Sequence, residues 1–93
     1  MIKSFRHKGL EQFFYQGETK GLKHDHVKKL RQALGVLNTA SEIEDIQSVK
    51  AFRCHSLSGS RKKESAIWIN KNWRITFIFE DGNVCLTNYE DYH

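Results

Sequence analysis

The sequence predicts an α+β fold: an N-terminal strand and two helices packed on a mainly antiparallel sheet of about four or five strands. Apolar residues recur at helical spacing through the first half of the chain, and from Ala51 onward they alternate. Two of the alternating runs flank Asp81-Gly82, a dipeptide suited to a tight hairpin. The chain's 93 residues make one small domain spanning 1–93. A domain of that length buries only about 60–65% of its unfolded surface. Eleven aromatic residues nevertheless supply bulk for a core, which argues against disorder.

Taken in order, Ile2 to Phe5 reads as a short first strand. From Lys8 to Gln16, Leu10, Phe13 and Phe14 fall on one helical face, and Gly17 and Gly21 end the run. The next helix is expected over about residues 25–39. Val27, Leu30, Leu34 and Leu37 form its inner stripe, and Lys28, Lys29, Arg31 and Gln32 its outer side. Asp25 is placed to cap its start, and Gly35 weakens the interior while allowing close packing. Residues 40–50 are acidic and irregular, with one turn around Glu42 to Ile46. Ala51 to Leu57 is the next candidate strand, followed by the polar, basic loop Ser58 to Lys63. Ser65 to Asn70 forms a strand, Asn70-Lys71-Asn72 a tight turn, and Trp73 to Phe79 the strongest strand signal. Alternation sets Trp73, Ile75, Phe77 and Phe79 against Arg74, Thr76 and Ile78. Asn83 to Tyr89 returns antiparallel, which brings the chain end beside Trp73 and Arg74.

Charge is unevenly spread. The formal net charge is +4. Residues 1–31 and 52–79 are each +5, while residues 32–51 are −2 and residues 80–93 are −4. The basic segments suit a polyanion, and the acidic end needs basic neighbours. Cys54 and Cys85 form no CxxC pair and read as buried reduced thiols. Zinc held by Cys54, Cys85, His55 and His93 has no finger spacing behind it. The start of the chain lacks a signal peptide's apolar core and no run approaches membrane-spanning length, so a cytoplasmic protein without membrane contact is expected.

Several side chains could carry chemistry. Arg74 interrupts an apolar strand with a guanidinium that must meet solvent, a carboxylate or a phosphate. His55 shares a side with Arg53 if its run is extended, and His55 and His93 can both exchange protons near neutral pH. His7, His24 and His26 sit at helix or loop positions and carry no expected role. Arg61, Lys62 and Lys63, with Lys71 in the next turn, make a cationic rim that could follow a nucleic-acid backbone beside Arg53 and Arg74. The final six residues, Asn88 to His93, gather two acids, two phenols and an imidazole.

Leu57-Ser58-Gly59, Ser65-Ala66-Ile67, Asn72-Trp73-Arg74-Ile75-Thr76-Phe77 and the terminal Asp91-Tyr92-His93 together resemble the HigB toxins. These are also called plasmid maintenance system killer proteins, and belong to the RelE/ParE toxin superfamily. Ile2-Lys3-Ser4-Phe5 and Lys8-Gly9-Leu10 fit the same pattern, so the resemblance covers essentially the whole chain. It implies a compact RelE-like fold and a ribosome-dependent endoribonuclease that cuts translated mRNA. It further implies a cognate HigA antitoxin with a helix-turn-helix, and contact with operator DNA only through that complex. By motif position, the family's active-site residues fall on His55, Arg74, Asp91, Tyr92 and His93. Arg53, Arg61, Lys62, Lys63 and Lys71 are then expected to bind mRNA and the 70S ribosome.

Cleavage of this kind uses the RNA's own 2′-hydroxyl, so no cofactor or metal is expected. Arg74 would stabilise the phosphate while His55 and His93 share base and acid work. Tyr92 would stack on or orient a base, and Asp91 would orient an imidazole or act as a base. One departure stands out. Ser58 occupies a position where some members carry lysine; if that lysine is needed to bind the scissile phosphate, Arg61, Lys62 or Arg74 must substitute, or activity is weaker. The competing classes are a non-catalytic, gyrase-inhibiting toxin of the ParE kind and a plain RNA-binding module.

Overall fold

The computed structural model describes residues 1–91. Helix α1 spans Lys8–Gln16 and starts where the Leu10 N–H donates to Nδ1 of His7, 3.0 Å away. It ends at Gly17, whose φ of 74° closes the last turn through a bond to the Phe13 carbonyl. Helix α2 spans Val27–Thr39 and is entered through a 3-10 turn, His24–His26. The N-cap positions fall on Lys23 and His26, neither of which makes a side-chain cap bond, so the cap expected of Asp25 is not at the helix start. The 3-10 bond from the His26 N–H to the Lys23 carbonyl, 3.0 Å, leads the backbone into the helix instead. Leu30, Ala33, Leu34 and Leu37 form the buried stripe of α2. Helix α3, Ile43–Gln47, is the turn expected near residue 45, held by a capping box between Glu42 and Asp45. Three bonds from Ser41 and Glu42 to the Asp45 carboxylate lower its pKa.

Four strands follow: β1 (His55–Ser56), β2 (Glu64–Trp68), β3 (Trp73–Glu80) and β4 (Asn83–Asp91). They form one antiparallel sheet in the order β1-β2-β3-β4. The strand expected over Ala51 to Leu57 shrinks to two residues. A 3-10 turn, Lys50–Phe52, buries Phe52 in the core, and Arg53 then takes a left-handed conformation with φ 46°. The first strand is also reduced, to two parallel bridges pairing Ile2 with Val84 and Phe5 with Thr87 along the edge of β4.

The β3–β4 turn is as expected. Asp81 and Gly82 have φ of 53° and 77°, the double positive that a two-residue hairpin of right-handed twist demands. Farther along, β4 contains a bulge. Thr76 faces Asn88 but Ile78 faces Cys85, so β4 spends one more residue than β3 over that stretch. Leu86, at φ 54°, sits within it, exposed, and its N–H donates to Ser4 Oγ at 2.8 Å. The bulge turns Thr87 and Tyr89 into the core and sends Asn88 and Glu90 to the opposite face. It also interrupts the pairing of the N-terminal segment, which explains bridges in place of a regular strand.

The core lies between the helices and one face of the sheet. Leu10, Phe13, Leu30, Leu34, Leu37 and Ile46 meet Ile67, Ile75, Phe77, Val84 and Tyr89. Gly35 has no part in it. A Cβ built there meets no atom within 4 Å, because the residue lines an open groove of about 270 Å³ with Phe13, Phe14, Gly17, Arg31 and Leu34. The close packing expected of Gly35 is therefore absent. Gly35→Ala should stabilise the fold by about 0.5–1 kcal/mol in urea denaturation. Gly17→Ala should destabilise it by about 1 kcal/mol, because alanine resists the left-handed cap.

Candidate active site

The sheet face turned away from the core carries the candidate chemistry. Cross-strand partners share a face, so the register defines its rows. Trp68, Arg74 and Glu90 make one row, and His55, Ala66, Thr76 and Asn88 the next. His55 and Arg74 thus stand on the same face, two strands and one row apart, roughly 12 Å between Cα atoms from strand spacing.

Each is held by local backbone. His55 Nδ1 lies 3.0 Å from the Arg53 carbonyl, which can only accept, so Nδ1 carries a proton. That leaves Nε2 as the nitrogen of this exposed ring outside that contact. The left-handed turn at Arg53 makes this contact, and it means Arg53 and His55 do not share one extended strand. Arg74 is half-buried, with Nη1 donating to the carbonyls of Asn70 at 2.6 Å and Trp73 at 3.0 Å. The Asn70 side chain in turn accepts from the N–H groups of Asn72 and Trp73, at 3.1 and 3.0 Å. The turn before β3 thereby fixes the guanidinium.

The hairpin brings the chain end to this edge, with Glu90 opposite Arg74 and Asp91 opposite Trp73. Asp91 is exposed and belongs to the row of Trp73, on the face opposite Arg74 and His55. Tyr92 and His93 lie outside the described residues.

The acidic tail does find a basic neighbour. Arg61 Nη1 and Nη2 bond both oxygens of Glu90, at 3.0 and 2.8 Å, while Nε and Nη2 bond both oxygens of Glu64, at 3.0 and 2.9 Å. Thr76 Oγ1 and Asn88 Nδ2 complete the shell around Glu90 at 2.6 and 3.2 Å. Arg61, expected on the RNA-binding rim, is therefore engaged by two carboxylates across the sheet. The exposed cations of that rim are Arg53, Lys62, Lys63 and Lys71. Trp68 belongs to this flank as well. The Arg53 guanidinium and the Lys29 ammonium each lie 4.6 Å from its ring centre. Burial, then repulsion from Arg53, lowers the pKa of Lys29. Pairing the alternation of Ser65 to Asn70 with that of Trp73 to Phe79 would have set Trp68 beside Arg74.

The clamp has a pH signature. Hydrogen bonds from Arg61 hold the carboxyls of Glu64 and Glu90 below their usual value of 4.5. Groups with depressed folded pKa contribute above the unfolded value and lose that contribution as pH falls through the folded one. Stability should therefore drop in acid below about pH 4.5. Arg61→Met should cost about 1–3 kcal/mol at neutral pH and make the acid drop shallower, as read by urea denaturation at neutral and acidic pH.

Comparison with known proteins agrees with this architecture. Residues 3–93 match the family model described as HigB-like toxin, a RelE-like toxin of type II toxin–antitoxin systems. The chain is 41% identical to Endoribonuclease HigB of Proteus vulgaris over the full length of both. It is 31% identical to Toxin HigB-1 of Vibrio cholerae serotype O1, covering all of this chain and 98% of that one. Among solved structures, YafQ from E. coli strain BL21(DE3) superposes with a TM-score of 0.57 at 12% identity, covering 98% of this chain and 91% of that one. A family match spanning nearly every residue, on a fold shared with YafQ, establishes that this chain belongs to the HigB-like family of RelE-like toxins.

Proposed function

We propose that this toxin is an endoribonuclease that cleaves mRNA during translation on the 70S ribosome, within the cytoplasm. Family membership supplies the toxin class and implies an antitoxin partner. The observation that carries the catalytic reading is the register at the Arg74 end of the sheet. It sets an exposed histidine and an anchored guanidinium on one face of the sheet, with Glu90 paired beside Arg74. The name of the Proteus vulgaris relative, an endoribonuclease, supports the same chemistry.

The reaction follows from the residue types. A 2′-hydroxyl attacks the adjacent phosphorus, and the bond to the 5′-oxygen of the next nucleotide breaks. The products are a cyclic phosphate and a 5′-hydroxyl. A base must take the 2′ proton, and an acid must give one to the departing oxygen. His55 Nε2 and His93 share these two tasks, and Arg74 neutralises the charge growing on the phosphate. Asp91 orients an imidazole, and Tyr92 stacks on a base. With Arg61 held by two carboxylates, Lys62 and Arg74 are the cations left to stand in for the lysine that some members carry at the position of Ser58. Arg53 and Lys29 crowd together over Trp68, and a polyanion alongside would relieve their repulsion. Arg53, Lys62, Lys63 and Lys71 accordingly bind ribosomal RNA and mRNA, and the ribosome holds the substrate in place. A HigA-type helix-turn-helix antitoxin neutralises the toxin, and operator DNA is reached only through that complex.

The test is cleavage of mRNA on translating ribosomes, read by mapping new 5′ ends. Arg74→Ala and His93→Ala should each lower the rate by about 100-fold or more. Full cleavage by both variants would refute the assignment. Ribosome affinity should weaken steeply with added salt, and less steeply once Arg53 and Lys62 are replaced by alanine.

A further inference from the structure

His26, read from the sequence as idle, is 3% exposed and joins three elements behind the candidate site. Its Nδ1 lies 2.6 Å from the Tyr89 hydroxyl on β4, and its Nε2 lies 2.6 Å from Asn70 Nδ2 in the turn before β3. Its ring meets Trp73 edge-on with centres 5.9 Å apart. The Asn70 amide cannot be reversed without loss, because its oxygen accepts from two backbone N–H groups, of Asn72 and Trp73. The amide nitrogen must then face His26 as a donor, so Nε2 is an acceptor. The proton of the neutral ring therefore sits on Nδ1 and is donated to Tyr89. The chain of contacts continues from Asn70, whose carbonyl accepts from Arg74 Nη1 at 2.6 Å.

We infer that His26 is a positioning residue for the active site, orienting Asn70 through Nε2 so that the turn holds the Arg74 guanidinium in place for the phosphate. The inference rests on the reading of Arg74 as a catalytic residue. Removing His26 frees the Asn70 amide to rotate, which releases the turn and with it the carbonyl that anchors Arg74. A displacement of about 1 Å at a reacting group costs on the order of 100-fold in rate.

The experiment uses the full chain on mRNA-loaded ribosomes, with the cleavage rate at saturation and the ribosome Kd measured separately. His26→Phe keeps a ring but removes both hydrogen bonds. It should lower the saturated rate about 10–100-fold and leave Kd unchanged. His26→Gln keeps an acceptor toward Asn70 and gives up Tyr89, and it should stay within about threefold of the natural rate. Long-range 15N–1H spectra of the unmodified protein should show His26 protonated at Nδ1 and bare at Nε2. Were His26→Phe unable to fold, Asn70→Ala would take its place, with the same loss expected. A folded His26→Phe or Asn70→Ala protein cleaving at the natural rate would overturn the inference, as would a proton on Nε2. Arg74→Ala, run in parallel, separates the two readings. Full activity there would remove the catalytic assignment of Arg74, whereas activity lost there but kept in His26→Phe would remove only the positioning role.

Discussion

One extra residue in β4 decides what the end of the chain presents. Alternation counted from Val84, which is buried, would place residues 86, 88 and 90 in the core. The bulge at Leu86 reverses that parity, so Thr87 and Tyr89 are buried while Asn88 and Glu90 join Thr76 and Arg74 on the other face. Without it, a carboxylate would enter the core and a tyrosine would leave it. The Arg61 clamp and the contact of Tyr89 with His26 both depend on that single change of phase.

The face so formed divides its charges between structure and binding. Arg61 reaches across β2 and β3 to hold Glu64 and Glu90, and with them in place the central Ala66 and Thr76 are fully buried. A carboxylate pair lying close together would repel, and the guanidinium between them removes that penalty while satisfying their oxygens. The neighbouring cations, Arg53 and Lys29, instead gather on the π face of Trp68. The same sheet face therefore holds a neutralised centre beside a positive flank.

Much of this was legible in the residues. The stripe of α2, the alternation of β3 and the Asp81-Gly82 turn depend on local periodicity and local backbone preference, and they emerged with nearly the expected bounds. The return of the tail to Arg74 followed from that turn alone. The bulge was not legible, because Val84 to Glu90 reads as an acceptable strand in either phase. Nor was the fate of Ala51 to Leu57, where burial of Phe52 and the left-handed Arg53 outweigh a weak strand preference. Partner choice was the hardest part. Glu90 stands beside Arg74 in the ladder, yet its carboxylate bonds Arg61 from 29 residues away. His26 looked unremarkable because both of its partners come from the other half of the chain.

The N-terminal segment has a consequence for how the toxin folds. Ser4 bonds Leu86 across a separation of 82 residues, and Ile2 and Phe5 bridge Val84 and Thr87. The segment touches α2 through the bond from the Ile2 N–H to Asn38, but its strand partner lies far along the chain in β4. Closing so large a loop is slow, and the unpaired stretch stays open to other contacts meanwhile. Because β3 and β4 also carry Arg74 and Glu90, the candidate site takes shape on the hairpin whose outer strand holds this segment. The candidate site is thus tied to the least local contacts of the fold.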